Sequence, residues 1–126
     1  MPLKFKYTLN RDYLKVEILG HRTPGNELLE SKEIWKQIAD VVKRENQDRI
    51  LTLIKVKGHL PVKAAYQIAE SAGSIGWSHN YKLAVVAGSD TVLMNVRLSE
   101  MIMTKLGYDM KLFGSTRMAR KWLLSD

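Results

Sequence analysis

The sequence predicts a single α/β domain over residues 1–126, built on a mixed, mostly parallel sheet of about five strands with four helices. Two observations support this fold class. Short β-branched segments alternate with segments whose apolar residues recur at helical spacing, and the opening segment has the pattern of a hairpin. Strands that alternate with helices pair in parallel through right-handed crossovers, so the expected order is β-β-α-β-α-β-α-β-α.

The opening hairpin is predicted from alternation. Residues 4–9 alternate apolar and polar side chains, and residues 13–19 place three aliphatic side chains on one face. Both patterns have the period of a half-buried strand. The polar residues 10–12 between them suit a turn, so we expect an antiparallel pair.

The first helix is expected over residues 26–46. Its apolar residues recur every three or four positions, with basic residues between them. Asn26 can cap the N-terminus, and Glu27 and Glu30 suit the positive end of the helix dipole. Trp35 lies on the apolar stripe of this helix and is expected to pack in the core.

Three further strand–helix units are expected to complete the sheet. The strands are predicted where short apolar runs end at or near glycine, at residues 50–56, 82–87 and 109–113. The helices that follow are predicted at residues 61–73, 89–106 and 116–124. Pro61 suits a first helical position because its missing N–H is no loss there, and Ser115 can cap the last helix.

The composition excludes several classes of protein. The chain has no cysteine, which excludes disulfides, thiolate chemistry and cysteine-ligated zinc. It shows no signal-peptide pattern and no apolar run long enough to span a membrane, so we expect a cytoplasmic protein without a transmembrane segment. The formal charge of +7 favours anionic partners. The basic residues are scattered along the chain without a recognition motif, so no specific nucleic-acid binding is expected.

An anion-binding edge is predicted at the carboxyl ends of the parallel strands, where ligands of open α/β sheets bind. Three glycine-marked turns lie there, each before a helix N-terminus whose free N–H groups favour anions. The residues assigned to this edge are Lys57, His59, Lys63, Ser89, Asp90, Ser115, Thr116 and Arg117. The alternative is that the glycines end strands, the serines cap helices and the cations are solvated.

The sequence favours a non-catalytic protein and leaves an enzyme open. No serine-nucleophile motif, dinucleotide fingerprint or phosphate-binding loop is present. The histidines are scattered and have no acidic neighbours at ligand spacing, so neither a metal site nor a cofactor is expected. A base at His59 oriented by Asp90 is the catalytic arrangement that remains open.

The helix predicted after Asp90 is apolar around more than one face. Such a helix is buried on several sides or presents a surface to a partner. Methionine adapts to such surfaces, so we expect an exposed apolar patch through which two copies of the chain associate. The residues assigned to this interface are Met94, Leu98, Met101 and Ile102. Burial of the whole helix within one chain is the alternative.

The element order and the closing residues together carry a family resemblance. Segment 111–123 contains a short strand that ends in Phe113, then a helix with Ala119 followed by Trp122 and Leu123. With the opening hairpin and the alternating order, the chain resembles the STAS-like domains, the fold group of the anti-anti-sigma factors. More narrowly, it is similar to a bacterial STAS/SEC14-like subgroup. The resemblance covers nearly the whole chain and implies a non-catalytic binding or regulatory module.

The sequence departs from the anti-anti-sigma pattern at one functional position. Anti-anti-sigma factors carry a phosphorylated Ser or Thr at the turn where the helix after the central strand begins. Residues 58–62 occupy that turn here, and their sequence GHLPV contains no hydroxyl. The phosphorylation switch is therefore not expected at this turn.

Two functional hypotheses follow. The first is a homodimeric regulatory or binding module of the STAS-like type, which acts on a protein partner. The alternative is a small-molecule or lipid binder that holds an anionic group at the carboxyl edge and an apolar tail beneath the methionine-rich helix. The alternative predicts a cavity between the sheet and that helix, with Lys57 or Arg117 at its mouth.

Overall fold

The computed structural model describes residues 3–58, 60–87 and 90–125. Within these residues nine elements follow one another: β1 (Leu3–Leu9), β2 (Leu14–His21), α1 (Glu27–Arg44), β3 (Arg49–Lys57), α2 (Val62–Glu70), β4 (Lys82–Ala87), α3 (Asp90–Lys105), β5 (Asp109–Phe113) and α4 (Thr116–Leu123). The predicted element order is confirmed.

The strands form one five-stranded sheet in the order β1-β2-β3-β4-β5. β1 pairs with β2 in antiparallel fashion, and each later neighbour pairs in parallel. The mixed, mostly parallel sheet predicted from the sequence is therefore confirmed. The carboxyl ends of β2, β3, β4 and β5 consequently lie at the same edge of the sheet.

Alternate strand residues pack against helices on opposite faces of the sheet. Ile50 and Val85 belong to the main core, together with residues of α1 and α3. Leu51 and Ala84, one position along each strand, pack instead with Ala119 and other residues of α4. Where β3 and β4 are covered on both faces, over residues 50–54 and 83–87, they are apolar except for Thr52, as buried parallel strands usually are.

The start of α1 differs from the prediction at its cap. The side chain of Asn26 makes no capping hydrogen bond. Acidic side chains of the first turn organise the preceding loop instead. Glu30 accepts hydrogen bonds from the backbone N of Thr23 at 2.9 Å and from its Oγ1 at 2.8 Å, and Glu27 accepts one from the backbone N of Gly25 at 2.9 Å.

The second helix is shorter than predicted. Pro61 is its N-cap, and α2 ends at Glu70, ahead of the predicted residue 73. A series of turns over residues 71–76 replaces the last turn, beginning where the Ser71 hydroxyl donates to the carbonyl oxygen of Gln67 at 2.7 Å. Serine competes with helix continuation in this way. The predicted cap at Ser115 is confirmed, because its hydroxyl accepts from the backbone N of Met118 at 3.3 Å.

The outer strand β5 is secured by a side chain of the neighbouring helix. Glu100 of α3 accepts a hydrogen bond from the backbone N of Leu112. An edge strand otherwise presents unpaired backbone groups. The carboxylate therefore satisfies a donor of β5 that no strand pairs.

One buried hydroxyl in the central strand has no partner, and this gives a stability prediction. Thr52 is fully buried, and its Oγ1 makes no hydrogen bond to any residue that the structure describes. We expect Thr52→Val to raise the free energy of unfolding by about 1 kcal/mol, because an unsatisfied buried polar atom is replaced by a methyl group. Urea denaturation measures the change. Thr52→Ser is the control: it keeps the hydroxyl, removes a methyl group and is expected to destabilise. A loss of stability in Thr52→Val would contradict the prediction.

Candidate functional site

A cavity of about 100 Å³ lies between the sheet and helices α1, α2 and α3. Strand residues form one side and helix residues the other, and most of them are aliphatic or methionine. Its apolar wall includes Ile54, Leu83, Val85 and Met110 from the strands and Ile68, Ala72, Val96 and Met103 from the helical side. The small-molecule hypothesis expects a cavity between the sheet and the helix after Asp90, and ligand binding in this one stays a prediction.

Two tryptophans contribute to the cavity wall. Trp35 of α1 and Trp77, which follows the turns after α2, both line it. Their ring centroids are 5.8 Å apart with an interplanar angle of 88°, and Tyr81 meets Trp77 edge-on at 5.1 Å. Edge-to-face packing of this kind stabilises aromatic pairs beyond their area burial. Trp77 is buried, whereas Trp35 is half-buried and packs against the main core.

Arg22 is the charged residue of the cavity wall among the described residues. It follows β2 directly, at the carboxyl edge of the sheet. Its backbone N donates to the carbonyl oxygen of Lys57 at 2.9 Å, and its Nη1 donates to the carbonyl oxygen of Gly58 at 2.9 Å. Its Nε is buried and has no hydrogen-bond partner within residues 3–58, 60–87 and 90–125.

The electrostatic surroundings of Arg22 leave its charge only weakly compensated. Burial lowers the pKa of Arg22, and the carboxylate of Glu27 opposes this effect. No carboxylate among the described residues forms an ion pair with the guanidinium. Arginine nevertheless stays protonated in proteins. The cavity therefore combines apolar walls with one partly buried, under-compensated positive charge.

Gly58 fits the backbone of Arg22 closely. Its φ of +102° lies in the region that favours glycine, and a Cβ at this position would lie 3.3 Å from the Cβ of Arg22 and 3.3 Å from its backbone N. Any side chain here would push against the residue that carries the cavity's charge. The turn after β3 thus places Arg22 by hydrogen bonds and by close packing.

The residues assigned to the anion-binding edge do not converge on this cavity. Lys57 and Lys63 are exposed on either side of the turn after β3. Thr116 and Arg117 are exposed in the first turn of α4, on the opposite face of the sheet, where the Ser115 hydroxyl serves as the helix cap. The small-molecule hypothesis placed Lys57 or Arg117 at the cavity mouth, and neither lines it.

Three further candidates of that edge have no described side chain. His59 and Ser89 lie outside the described residues, and Asp90 is described only as the first residue of α3. The catalytic arrangement of His59 with Asp90 falls outside the described residues for the same reason. A ligand-binding role for the residues of the edge stays a prediction.

Sequence reasoning missed Arg22, although a signal for it was present. The predicted anion-binding edge includes only the glycine-marked turns after β3, β4 and β5. Because β2 is parallel to β3, the loop after His21 lies at the same edge of the sheet. Arg22 is the first residue of that loop. Its burial could not be predicted, because that depends on the packing of α1 and of the turn at Gly58.

The methionine-rich helix α3 exposes part of the predicted patch. Met94 and Met101 are 75% and 63% exposed. Leu98 packs against a small cluster with residues of α2, and Ile102 packs against the main core. Met94, Leu98 and Met101 are spaced four and three residues apart, so they follow one stripe of the helix. Self-association through this stripe stays a prediction.

Two further properties concern the described residues only. They contain no group of three or more His, Asp or Glu side chains that could hold a metal ion. No helix formed by them has the length and apolarity needed to cross a membrane.

Comparison with known proteins decides the fold type. Neither a protein-family model nor a curated protein matches the chain. A crystal structure of an uncharacterised protein of the DUF3478 family from Shewanella loihica PV-4, which has a SpoIIAA-like fold, matches with a TM-score of 0.55. The match covers 96% of this chain and 93% of that chain at 17% sequence identity. The fold is SpoIIAA-like. This confirms the STAS-like, anti-anti-sigma-like fold expected from the sequence.

The SpoIIAA-like fold does not specify what occupies the cavity. At 17% identity the likeness concerns the backbone arrangement alone. A shared fold places ligand sites at the carboxyl edge of the sheet without specifying their chemistry. The chemistry of this cavity has to come from its own side chains.

A pair of glycine substitutions tests the packing of Gly58 on Arg22. Gly58 and Gly25 both have positive φ, but a Cβ at Gly25 would meet nothing within 4 Å. We expect Gly25→Ala to lower the free energy of unfolding by about 1 kcal/mol, through the backbone penalty alone. Gly58→Ala should cost about 1 kcal/mol more, because Arg22 must also shift. Urea denaturation of both variants gives the difference, and equal losses would show that the contact carries no energy.

Proposed function

We propose that this SpoIIAA-like domain is a non-catalytic binding module for a small amphipathic anion. The apolar body of the ligand occupies the cavity, and its anionic group accepts a hydrogen bond from Arg22. One observation carries the proposal: the buried Nε of Arg22 has no hydrogen-bond partner among the described residues and lies in the wall of a mostly apolar cavity, whose other polar side chains are Ser31 and Ser99.

The unpartnered Nε is costly unless something pairs with it. A buried donor without an acceptor loses its hydration and gains nothing in exchange. Unsatisfied groups of this kind are few in native proteins, and each calls for a physical explanation. A carboxylate or phosphate oxygen at the Nε would satisfy the donor and offset the positive charge, since both groups match the planar guanidinium.

The size of the cavity limits the ligand. A cavity of roughly 150 Å³ lined by aliphatic and aromatic side chains accommodates benzene. The cavity of about 100 Å³ in this domain is smaller and therefore suits a short aliphatic chain. A complete acyl lipid would not fit. If the ligand is a lipid, only the end of one acyl chain enters the cavity. Met103 and Met110 in the wall can adapt to several shapes.

A matched pair of probes tests the proposal. Hexanoate and hexan-1-ol have the same chain length and differ in their head groups. We expect both to change the fluorescence of the native protein, because Trp35 and Trp77 line the cavity. Hexanoate should bind more tightly by roughly tenfold to 100-fold, the range expected for a charge-assisted hydrogen bond. Titration followed by tryptophan fluorescence gives both dissociation constants.

Substitution of Arg22 separates the two parts of the site. Arg22→Met should remove the preference for hexanoate and leave the affinity for hexan-1-ol unchanged. Arg120→Met is the matched control, because Arg120 is exposed on α4, on the other face of the sheet. Ala72→Leu adds volume at the cavity wall and should weaken both probes. If neither probe binds the native protein, the cavity is not a ligand site and the proposal fails.

Self-association is a second candidate function, favoured by the exposure of two methionines on α3. Exposed methionine is adaptable and common at interaction surfaces. A homodimer through Met94 and Met101 would retain the regulatory-module hypothesis, in which a second copy or another protein is the partner. A cytoplasmic location and a protein partner likewise stay predictions.

Charge introduced into the α3 patch tests self-association. We expect the native chain to sediment as a dimer and Met94→Glu with Met101→Glu to sediment as a monomer, because the added carboxylates would be buried against a second copy. Met118→Glu is the control, since Met118 is 55% exposed on α4. A native chain that is monomeric at high concentration would remove the interface from consideration.

A further inference from the structure

The face of the sheet on which α4 packs also carries a basic surface. Its lysines are far apart in the sequence. α4 packs on β3, β4 and β5, so the part of this face formed by β1, β2 and the end of β3 lies beyond it. Lysines from three strands project there. The lysine face consists of Lys4, Lys6, Lys15, Lys55 and Lys57. Four of them are exposed, and Lys15 is half-buried.

Strand register brings these lysines together. In β1 and β2, Lys6 pairs directly with Glu17, and in β2 and β3, Lys57 pairs with His21. Paired residues and residues two positions apart lie on the same face of a sheet. Residues that seem scattered along the chain, from position 4 to position 57, therefore form one continuous patch.

A single carboxylate offsets part of the charge. Glu17 lies within 3.5 Å of the Nζ of Lys6, 3.7 Å of that of Lys15 and 3.6 Å of that of Lys55. Burial alone would raise the pKa of Glu17, but the lysines outweigh it and hold the pKa below its usual value. Glu17 is the only acidic residue that β1, β2 and β3 place on this part of the face. The patch therefore keeps an excess of positive charge at neutral pH.

We propose that the lysine face docks the protein on an anionic membrane surface. The chemistry that would recognise it is a plane of anionic lipid head groups. Lysine clusters near such a surface are attracted to it without a fixed contact geometry, because the ammonium is a compact charge on a flexible stem. Each lysine near the surface multiplies partitioning by roughly fivefold.

The composition of the lysine face fits a membrane better than the other polyanions. Sheets that bind single-stranded nucleic acid stack bases on aromatic side chains, and duplex readers insert an element into a groove. The outer positions of β1, β2 and the end of β3 carry no phenylalanine, tyrosine, tryptophan or arginine, and His21 is the one ring among them. Protein interfaces, in turn, are depleted in lysine and enriched in aromatic residues, methionine and arginine.

Sedimentation with vesicles tests the proposal on the full chain. We expect binding to vesicles of phosphatidylserine and phosphatidylcholine, and no binding to phosphatidylcholine alone. Lys6→Gln with Lys55→Gln should reduce partitioning by roughly 30-fold. Glu17→Gln should raise it by roughly fivefold, because one compensating charge is lost. This gain distinguishes docking from a structural role for the ion pairs.

Lys36→Gln with Lys43→Gln is the matched control. Both lysines are exposed on α1, which covers the other face of the sheet, and the change in net charge is the same. We expect this variant to bind vesicles like the native chain. Equal losses in the two double variants would mean that only net charge matters, and the proposal would be overturned. It would also be overturned if a random duplex DNA displaced the protein from phosphatidylserine vesicles and bound more tightly than they do.

Discussion

The parallel pairing of β2 with β3 is the constraint on which both candidate surfaces depend. It brings the end of the first hairpin to the carboxyl edge, where Arg22 donates to the carbonyl oxygen of Lys57 and continues the ladder by one residue. The same register places Lys55 and Lys57 beside the outer positions of β2. A shift of one residue would turn every side chain of one strand to the opposite face. Arg22 would then leave the cavity, and the lysines would face the core.

The two faces of the sheet differ because different helices pack on them. Helices α1, α2 and α3 close one face and enclose an apolar core with a cavity at its edge. One short helix, α4, covers only the part of the other face formed by β3, β4 and β5. The remaining part is solvated and carries charge. The proposed ligand cavity and the proposed membrane-docking surface therefore lie on opposite faces of the same sheet.

Most of the fold could be predicted because its signals are local. Alternation predicts the hairpin, β-branched runs predict β3 and β4, and spacing predicts α1. Helix ends were less predictable, since the end of α2 depends on a hydroxyl at Ser71 and the cap of α1 on acids in its first turn. The site was predicted in outline only. A cavity was expected only under the small-molecule alternative, and the burial of Arg22 depends on contacts from Gly58, far along the chain.

The hydrogen bond from the backbone of Leu112 to Glu100 has a consequence for how copies of this protein behave at high concentration. This bond uses a backbone donor of the outer strand β5. In the other outer strand, β1, the charged residues Lys4 and Lys6 alternate with apolar residues. Both devices discourage the lateral addition of a further strand, which is the usual first step of fibril growth. At high concentration, copies of this chain should therefore associate reversibly through their helices or the faces of the sheet, and not through the edges of the sheet.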